Sequence, residues 1–141
     1  MTTPLAGYSG TPLYKKLGIK AGFIIQLVNA PGNYLDLLTE LPANIKFNDS
    51  GDAKDLIHFF TKYENDLITE LPILKNRIRS NGTIWVSWPK RASKVITDIT
   101  DDTIRNYALK IGLVDIKVCA VDEIWSGLKL VIPVKERVSN S

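Results

Sequence analysis

Cysteine and histidine are almost absent from this sequence. Cys119 is the only cysteine and His58 the only histidine among 141 residues. A disulfide within the chain is therefore impossible, and a zinc site built from several cysteines is excluded. Catalysis by a nucleophile and a histidine would have to use His58 itself. His58 stands between apolar residues in a strand-like run, which favours a buried, hydrogen-bonded side chain over a catalytic one.

Long apolar runs and a strong charge of one sign are also missing. No stretch approaches the ~18 apolar residues that a membrane helix needs, and the N-terminus lacks a basic region followed by an apolar run. We therefore expect a cytoplasmic protein without a membrane partner. The formal net charge is only +3, from 18 basic and 15 acidic residues. Without a dense basic stripe we expect no nucleic-acid partner, but this charge permits a small anionic ligand.

The familiar catalytic motifs do not occur. The sequence has no Gly-x-Ser-x-Gly elbow, no Walker loop and no His-Glu-x-x-His helix. Asp98, Asp101 and Asp102 resemble a magnesium site, but acidic residues are routine at a helix start because they oppose the helix dipole. Cys119 lies in an apolar strand and is expected to be a small core residue. We therefore predict no catalytic residue, no metal and no cofactor, and the sequence does not favour an enzyme.

What the sequence does contain is a strand around which the chain is organised. Residues 83–88 read Thr-Ile-Trp-Val-Ser-Trp, with β-branched and aromatic residues on both strand faces. Burial on both faces is typical of a parallel sheet covered by helices. Pro89 cannot donate a hydrogen bond to a neighbouring strand, so the strand is expected to end there.

The other elements alternate between strands and helices. Strands are predicted at 23–28, 44–48, 56–61, 115–121 and 128–133, and helices at 12–17, 64–79 (kinked or divided at Pro72) and 101–111, with a further helix carrying Leu35, Leu38 and Leu41. This order predicts a single α/β domain with a doubly wound, mostly parallel sheet and an antiparallel last strand. We place an N-terminal arm at 1–10, the domain at 11–135 and a polar tail at 136–141. Trp125, in the last hairpin, suits a hairpin staple or a surface contact equally well.

Polar and aromatic residues follow the first, third and fourth strands. Because parallel strands bring their carboxyl ends to one edge, these residues are expected to converge where the chain leaves for opposite faces of the sheet. The predicted ligand crevice consists of Asn29, Lys62, Tyr63, Trp88, Lys90 and Arg91. Two lysines, an arginine, an amide and two aromatic rings suit a small anionic or planar ligand. The alternative is that the rings fill the crevice while the charged groups, Lys94 among them, point into water.

The opening of the sequence carries a distinctive motif. Residues 7–20 read Gly-Tyr-Ser-Gly-Thr-Pro-Leu-Tyr-Lys-Lys-Leu-Gly-Ile-Lys, followed by Gly22 and by Asn-Ala-Pro at 29–31. This opening resembles a family of small bacterial proteins that is catalogued only as a domain of unknown function. Trp-Pro-Lys at 88–90 and Trp-Ser-Gly-Leu-Lys at 125–129 also fit that family. The resemblance spans nearly the whole chain and implies an intracellular bacterial protein, but it implies no activity.

The order of elements is similar to that of class I methyltransferases. That resemblance implies the strand order 2-1-3-4-6-5, with the last strand antiparallel. Such enzymes need a glycine-rich turn after the first strand and an acidic residue after the second. Here the first turn contains Pro31 and one glycine, and only Asn48 or Asp49 stands at the second position. The sequence therefore favours a non-enzymatic binding or protein-interaction module, with a diverged transferase-like enzyme as the alternative.

Overall fold

The computed structural model describes residues 10–47, 50–51 and 53–137. Within these residues the chain forms one six-stranded sheet with helices on both faces. The strands are β1 (Ile24–Val28), β2 (Lys46–Phe47), β3 (Lys54–Phe60), β4 (Ile78–Pro89), β5 (Val114–Ala120) and β6 (Trp125–Val131). The helices are α1 (Leu13–Leu17), α2 (Glu64–Lys75) and α3 (Asp101–Lys110). Residues 1–9 of the predicted arm, positions 48 and 49, and residues 138–141 of the predicted tail lie outside the described residues.

The sheet confirms the predicted fold class and strand order. Its order is β2-β1-β3-β4-β6-β5. The four strands from β2 to β4 pair in parallel, whereas β6 runs antiparallel to both β4 and β5. β4 ends at Pro89, as its missing N–H predicts. None of the helices in the described part of the chain combines the length and the hydrophobicity that a membrane span requires.

Each face of the sheet carries its own apolar layer, because side chains alternate between the two faces along a strand. On one face, α2 and α3 cover Ile57, Phe59, Ile84 and Val86. On the other, Leu17 from α1 and Tyr34 pack over Leu56, Phe60 and Trp85. Trp85 is fully buried there, and its Nε1 donates to the Leu17 carbonyl oxygen at 2.9 Å. The central strands β3 and β4 are therefore buried on both sides, as their apolar character predicts.

The predicted helix after β1 is wrong. Tyr34–Leu37 forms a single 3-10 turn, and Leu35 is 59% exposed rather than packed on a helical stripe. Glu40 adopts a positive φ of 60°, which a right-handed helix does not accommodate. Pro42 also disfavours helical geometry at the residue before it. The helix-like spacing of the leucines therefore does not mark a helix, and the segment forms one turn followed by irregular chain.

The predicted helix 64–79 is too long at its C-terminal end. α2 is one helix and ends at Lys75, while Ile78 is the first residue of β4 and pairs with Lys54 of β3. Pro72 removes the N–H that would bond to the Ile68 carbonyl. Tyr107 on α3 supplies a replacement, since its hydroxyl donates to that carbonyl at 3.2 Å. The helix therefore continues through Pro72, because the carbonyl that loses its partner accepts a hydrogen bond from the neighbouring helix.

The observed starts of α1, α3 and β6 differ little from the predicted ones. α3 begins at Asp101 as predicted, and Thr100 caps it by accepting from the Thr103 N–H in a capping box. α1 begins at Leu13, one residue later than predicted, because Pro12 is its N-cap. β6 begins at Trp125, earlier than the predicted 128. The reason is local, because the Asp122 carboxylate accepts from the backbone N–H of Trp125 and shortens the hairpin connection. Trp125 is buried against Phe60, which makes it a staple on the sheet.

Candidate functional site

The carboxyl ends of β1, β3 and β4 lie side by side at one edge of the sheet. After β1 the chain passes to the face that α1 covers, where Tyr34 is buried. After β3 it passes to the opposite face, where α2 packs. The two connections therefore diverge between β1 and β3. In open α/β sheets the ligand crevice lies at such a point, outside the carboxyl ends of the strands.

A cleft of about 580 Å³ opens at the carboxyl end of β4. One wall is the end of that strand, and the other is the connection that leads to α3. The lining residues are Trp88, Pro89, Arg91, Lys94, Val95, Ile96, Thr97, Asp98, Ile99, Thr100 and Asp101. Its volume falls within the range of about 300–1,000 Å³ that is common for small-molecule sites.

Hydrogen bonds fix the outer wall of the cleft to the end of β3. The Lys62 carbonyl accepts from the Thr97 hydroxyl at 2.6 Å and from the Asp98 N–H at 3.2 Å. The Asp98 carboxylate in turn accepts from the N–H of Glu64, the first residue of α2, at 2.8 Å. This negative charge lies at the positive end of the helix dipole, where it is stabilised. The connection that leads to α3 is therefore bonded to the connection between β3 and α2, which fixes the wall in place.

The charges around the cleft differ in how they are compensated. Asp98 caps α2, and Asp101 lies 3.6 Å from the Arg105 guanidinium on α3. Arg91 and Lys94 are exposed, and neither makes an ion pair within the described residues. Lys94 sits at a positive φ of 61°, in the tight turn that closes the 3-10 segment Arg91–Ser93. The cations are thus available to a ligand, whereas the carboxylates already have partners in the protein.

The six predicted crevice residues do not all reach this cleft. Trp88 and Arg91 line it, and Lys62 contributes through its backbone carbonyl. Trp88 is only 9% exposed, because most of its ring belongs to the layer under α2 and α3. Asn29 and Tyr63 lie exposed at the ends of β1 and β3, outside the cleft lining. Lys90 is half-buried, and its N–H donates to the Ile124 carbonyl of the last hairpin.

The sequence placed Lys94 beside the end of β4 but did not assign the rest of the connection, residues 95–101, to the site. Thr97 and Thr100 line the cleft, as does Ile96, which is 80% exposed. Two threonines and an aspartate directly before a helix are typical of helix capping. Thr100 does cap α3. Because capping already accounts for these residues, the sequence offered no reason to expect that they also line a cleft at the end of β4.

His58 lies away from this cleft, in the layer under α1. It is fully buried, with Nδ1 2.8 Å from the Tyr34 hydroxyl and Nε2 2.7 Å from the Ser87 hydroxyl. Burial lowers the pKa of His58 to about 3 and raises that of Tyr34. The ring is therefore neutral at physiological pH and joins β3, β4 and the Tyr34 turn. This arrangement confirms the buried, hydrogen-bonded histidine that the sequence predicts.

Cys119 is half-buried on β5, at the margin of the layer under α1. Burial raises the pKa of its thiol, although Lys16 and Lys117 act in the opposite direction. A thiol is nucleophilic only as the thiolate, so this cysteine is poorly activated. Its packing against the apolar layer agrees with the predicted core role, with more exposure than a central strand would give.

Several solved structures with the same fold are methyltransferases. No family model matches the sequence, and no curated protein matches it. A protein from Sulfolobus solfataricus assigned to the type 11 methyltransferases is 14% identical, with 92% of each chain covered and a TM-score of 0.58. The ribosomal protein L11 methylase from Lactobacillus delbrueckii is 11% identical, over 85% of this chain and 74% of that one, with a TM-score of 0.54. Magnesium protoporphyrin IX methyltransferase from Synechocystis, with bound SAH, is 10% identical over 85% and 78%, with a TM-score of 0.53. At these identities the likeness establishes a Rossmann-like methyltransferase fold.

The turn after β1 does not fit the adenosylmethionine site of that fold. Class I methyltransferases use glycines there so that the backbone approaches the cofactor closely. Here Asn29, with a φ of 58°, is followed by Ala30 and Pro31. Pro31 has no N–H to offer, and its carbonyl already accepts from the Tyr34 N–H at 3.0 Å. The two candidates for the acidic position after β2 lie outside the described residues. The fold is therefore present without the backbone approach that the cofactor requires.

Proposed function

We propose that this protein is a diverged transferase-like protein that binds a small anionic ligand in the cleft at the carboxyl end of β4. The observation that carries this proposal is the cleft itself, with Arg91 and Lys94 unpaired within the described residues beside the buried Trp88. The cleft lies along the strand-end edge where open α/β sheets bind their ligands. The comparisons support a transferase-like origin better than a purely non-enzymatic module.

The groups around the cleft suit binding and orientation. Arg91 offers a planar, always charged fork that matches a carboxylate or phosphate, and Lys94 offers a compact point charge. The Thr97 hydroxyl is already engaged with the Lys62 carbonyl, so it stiffens the wall. The edge of Trp88 provides an apolar surface for the rest of the ligand. A transfer reaction on this site would rest on placing an anionic acceptor, with the transferred group supplied by a second ligand.

Ligand binding in the cleft is testable through the thermal stability of the folded protein. Thermal-shift screening with small carboxylates, phosphates and sulfates should find a stabilising anion, since a ligand that binds the native state raises the melting temperature. Arg91→Ala should weaken that anion at least tenfold while leaving the unliganded melting temperature nearly unchanged. Lys110→Gln, at an exposed position on α3, is the matched control and should retain binding.

Lys90→Ala separates the cleft from the wider crevice that the sequence predicts. If Lys90→Ala loses binding and Arg91→Ala does not, the ligand binds nearer the last hairpin, where the Lys90 N–H donates to the Ile124 carbonyl. Retention of binding in both Lys90→Ala and Arg91→Ala would refute a ligand site at the end of β4. The same screen with adenosylmethionine should give no shift.

A non-enzymatic interaction module is the second candidate, and one observation favours it. Ile96 is 80% exposed on the rim of the cleft, where it adds apolar surface beside polar groups. A partner protein would cover this residue. Ile96→Ser should then abolish a pull-down partner without affecting anion binding, whereas the small-ligand proposal expects no loss of partners.

A further inference from the structure

A cluster of lysines lies on the α1 side of the sheet, apart from the strand-end cleft. Lys117 on β5 and Lys129 on β6 are direct cross-strand partners. Lys129 also pairs with Trp85 on β4, and paired residues share a face. The Trp85 ring donates to the Leu17 carbonyl at the end of α1. The two lysines therefore lie on the face that α1 covers.

The end of α1 brings a third lysine to the same place. Gly18 ends the helix with a φ of 80°, and Lys129 Nζ lies only 3.7 Å from where a Cβ on Gly18 would stand. Lys20 follows two residues later. Burial lowers the pKa of the half-buried Lys129, and Lys117 and Lys20 lower it further through their charges. Lys20, Lys117 and Lys129 are called the lysine cluster below.

The mutual repulsion of these three lysine charges is unfavourable unless negative charge lies nearby. Like charges directly opposite each other on neighbouring strands destabilise a sheet, and their Cβ atoms are only about 5 Å apart. None of the three lysines makes an ion pair with a carboxylate in the described part of the chain. α1 has five residues, so the partial negative charge at its end offsets little. The fold thus concentrates positive charge that its own side chains leave uncompensated.

We propose that the lysine cluster binds the phosphate group of a small-molecule ligand. A phosphate carries close to two negative charges and has several acceptor oxygens, so three ammonium groups from three different segments can surround it. The half-buried Lys129 forms the floor of the site, and the exposed Lys20 and Lys117 form its sides. This site is separate from the cleft at β4, and it does not depend on the function proposed for that cleft.

Calorimetric titration of the full chain with inorganic pyrophosphate tests the site. The titration is made on the Arg91→Ala background, so that anion binding in the cleft does not obscure the lysine cluster. We expect a binding event that weakens at least tenfold when Lys129→Met or Lys117→Gln is added, since each removes one charge and Met keeps the apolar stem. Lys110→Gln on α3 is the control and should leave this binding unchanged. The proposal is overturned if no binding remains in Arg91→Ala, or if the Lys110 variant weakens equally.

Thermal unfolding supplies a second readout that a purely structural lysine would not give. In buffer without multivalent anions, Lys117→Gln should raise the melting temperature, because it relieves repulsion, and pyrophosphate should then stabilise it less than the wild type. If Lys117→Gln instead lowers the melting temperature and pyrophosphate stabilises both proteins equally, the cluster is not an anion site.

A binding assay with phosphatidylglycerol vesicles tests whether the phosphate belongs to a lipid headgroup. If the protein binds the vesicles but not pyrophosphate, its ligand is a membrane surface and the proposal of a small-molecule ligand is refuted.

Discussion

Mild acid should destabilise this protein through His58. The ring is fully buried and hydrogen-bonded at both nitrogens, to Tyr34 and Ser87. Burial disfavours the charged imidazolium and lowers the pKa of His58 to about 3, compared with 6.5 for an exposed histidine. The sequence has no other histidine, the side chain that ordinarily changes its charge between pH 5 and 8.

The sign follows from which state binds the proton. Below pH 6.5 the unfolded chain takes up a proton on His58 that the folded chain refuses, so the free energy of unfolding falls as the pH falls. The contribution is complete above pH 6.5 and is lost progressively down to about pH 3. One unit of pKa difference corresponds to about 1.4 kcal/mol, so lowering the pH from 7 to 5 should remove about 2 kcal/mol of stability.

Urea denaturation at a series of pH values between 7.5 and 5 measures this loss directly, with tryptophan fluorescence as the probe. His58→Gln is the control. It should be less stable at pH 7, because the hydrogen bonds to Tyr34 and Ser87 are disturbed, but its stability should be nearly constant down to pH 5. A wild type whose stability does not change over this range would refute the argument, because it would mean that His58 is accessible to protons in the folded state.

Three further predictions concern the cofactor and the core. Adenosylmethionine should not bind at physiological concentration, because Pro31 and the missing glycines obstruct its approach; micromolar binding by calorimetry would contradict this. Trp85→Ala should cost about 3–5 kcal/mol in urea unfolding, since a buried ring and its bond to the Leu17 carbonyl are lost. A cost below about 1 kcal/mol would be incompatible with the burial of Trp85. Gly127→Ala should cost about 1–3 kcal/mol, because the added Cβ would lie 3.1 Å from the Trp85 ring; a melting temperature equal to that of the wild type would show that the ring yields.

The sequence alone determined the α/β class and the cover on the central strands. Apolar runs that fill both strand faces require cover on both sides, and the short connection before the last strand favours an antiparallel hairpin. The burial of His58 followed from its apolar neighbours in the same way. These features depend on patterns a few residues long, which a single segment displays by itself. The order of the strands, in contrast, was expected from the resemblance to class I methyltransferases.

Tertiary structure decided what depends on contacts between distant segments. Ile78 fits a helical stripe by spacing, yet pairing with Lys54 places it in β4. Asn29 and Trp88 both end parallel strands, but only Trp88 faces the cleft, because the outer wall is bonded to Lys62 and packs beside β4. Lys20 and Lys129 are more than a hundred positions apart, and no local pattern relates them. Their charges act on each other because the end of α1, at Gly18, lies beside Lys129, and that placement is a property of the packed chain.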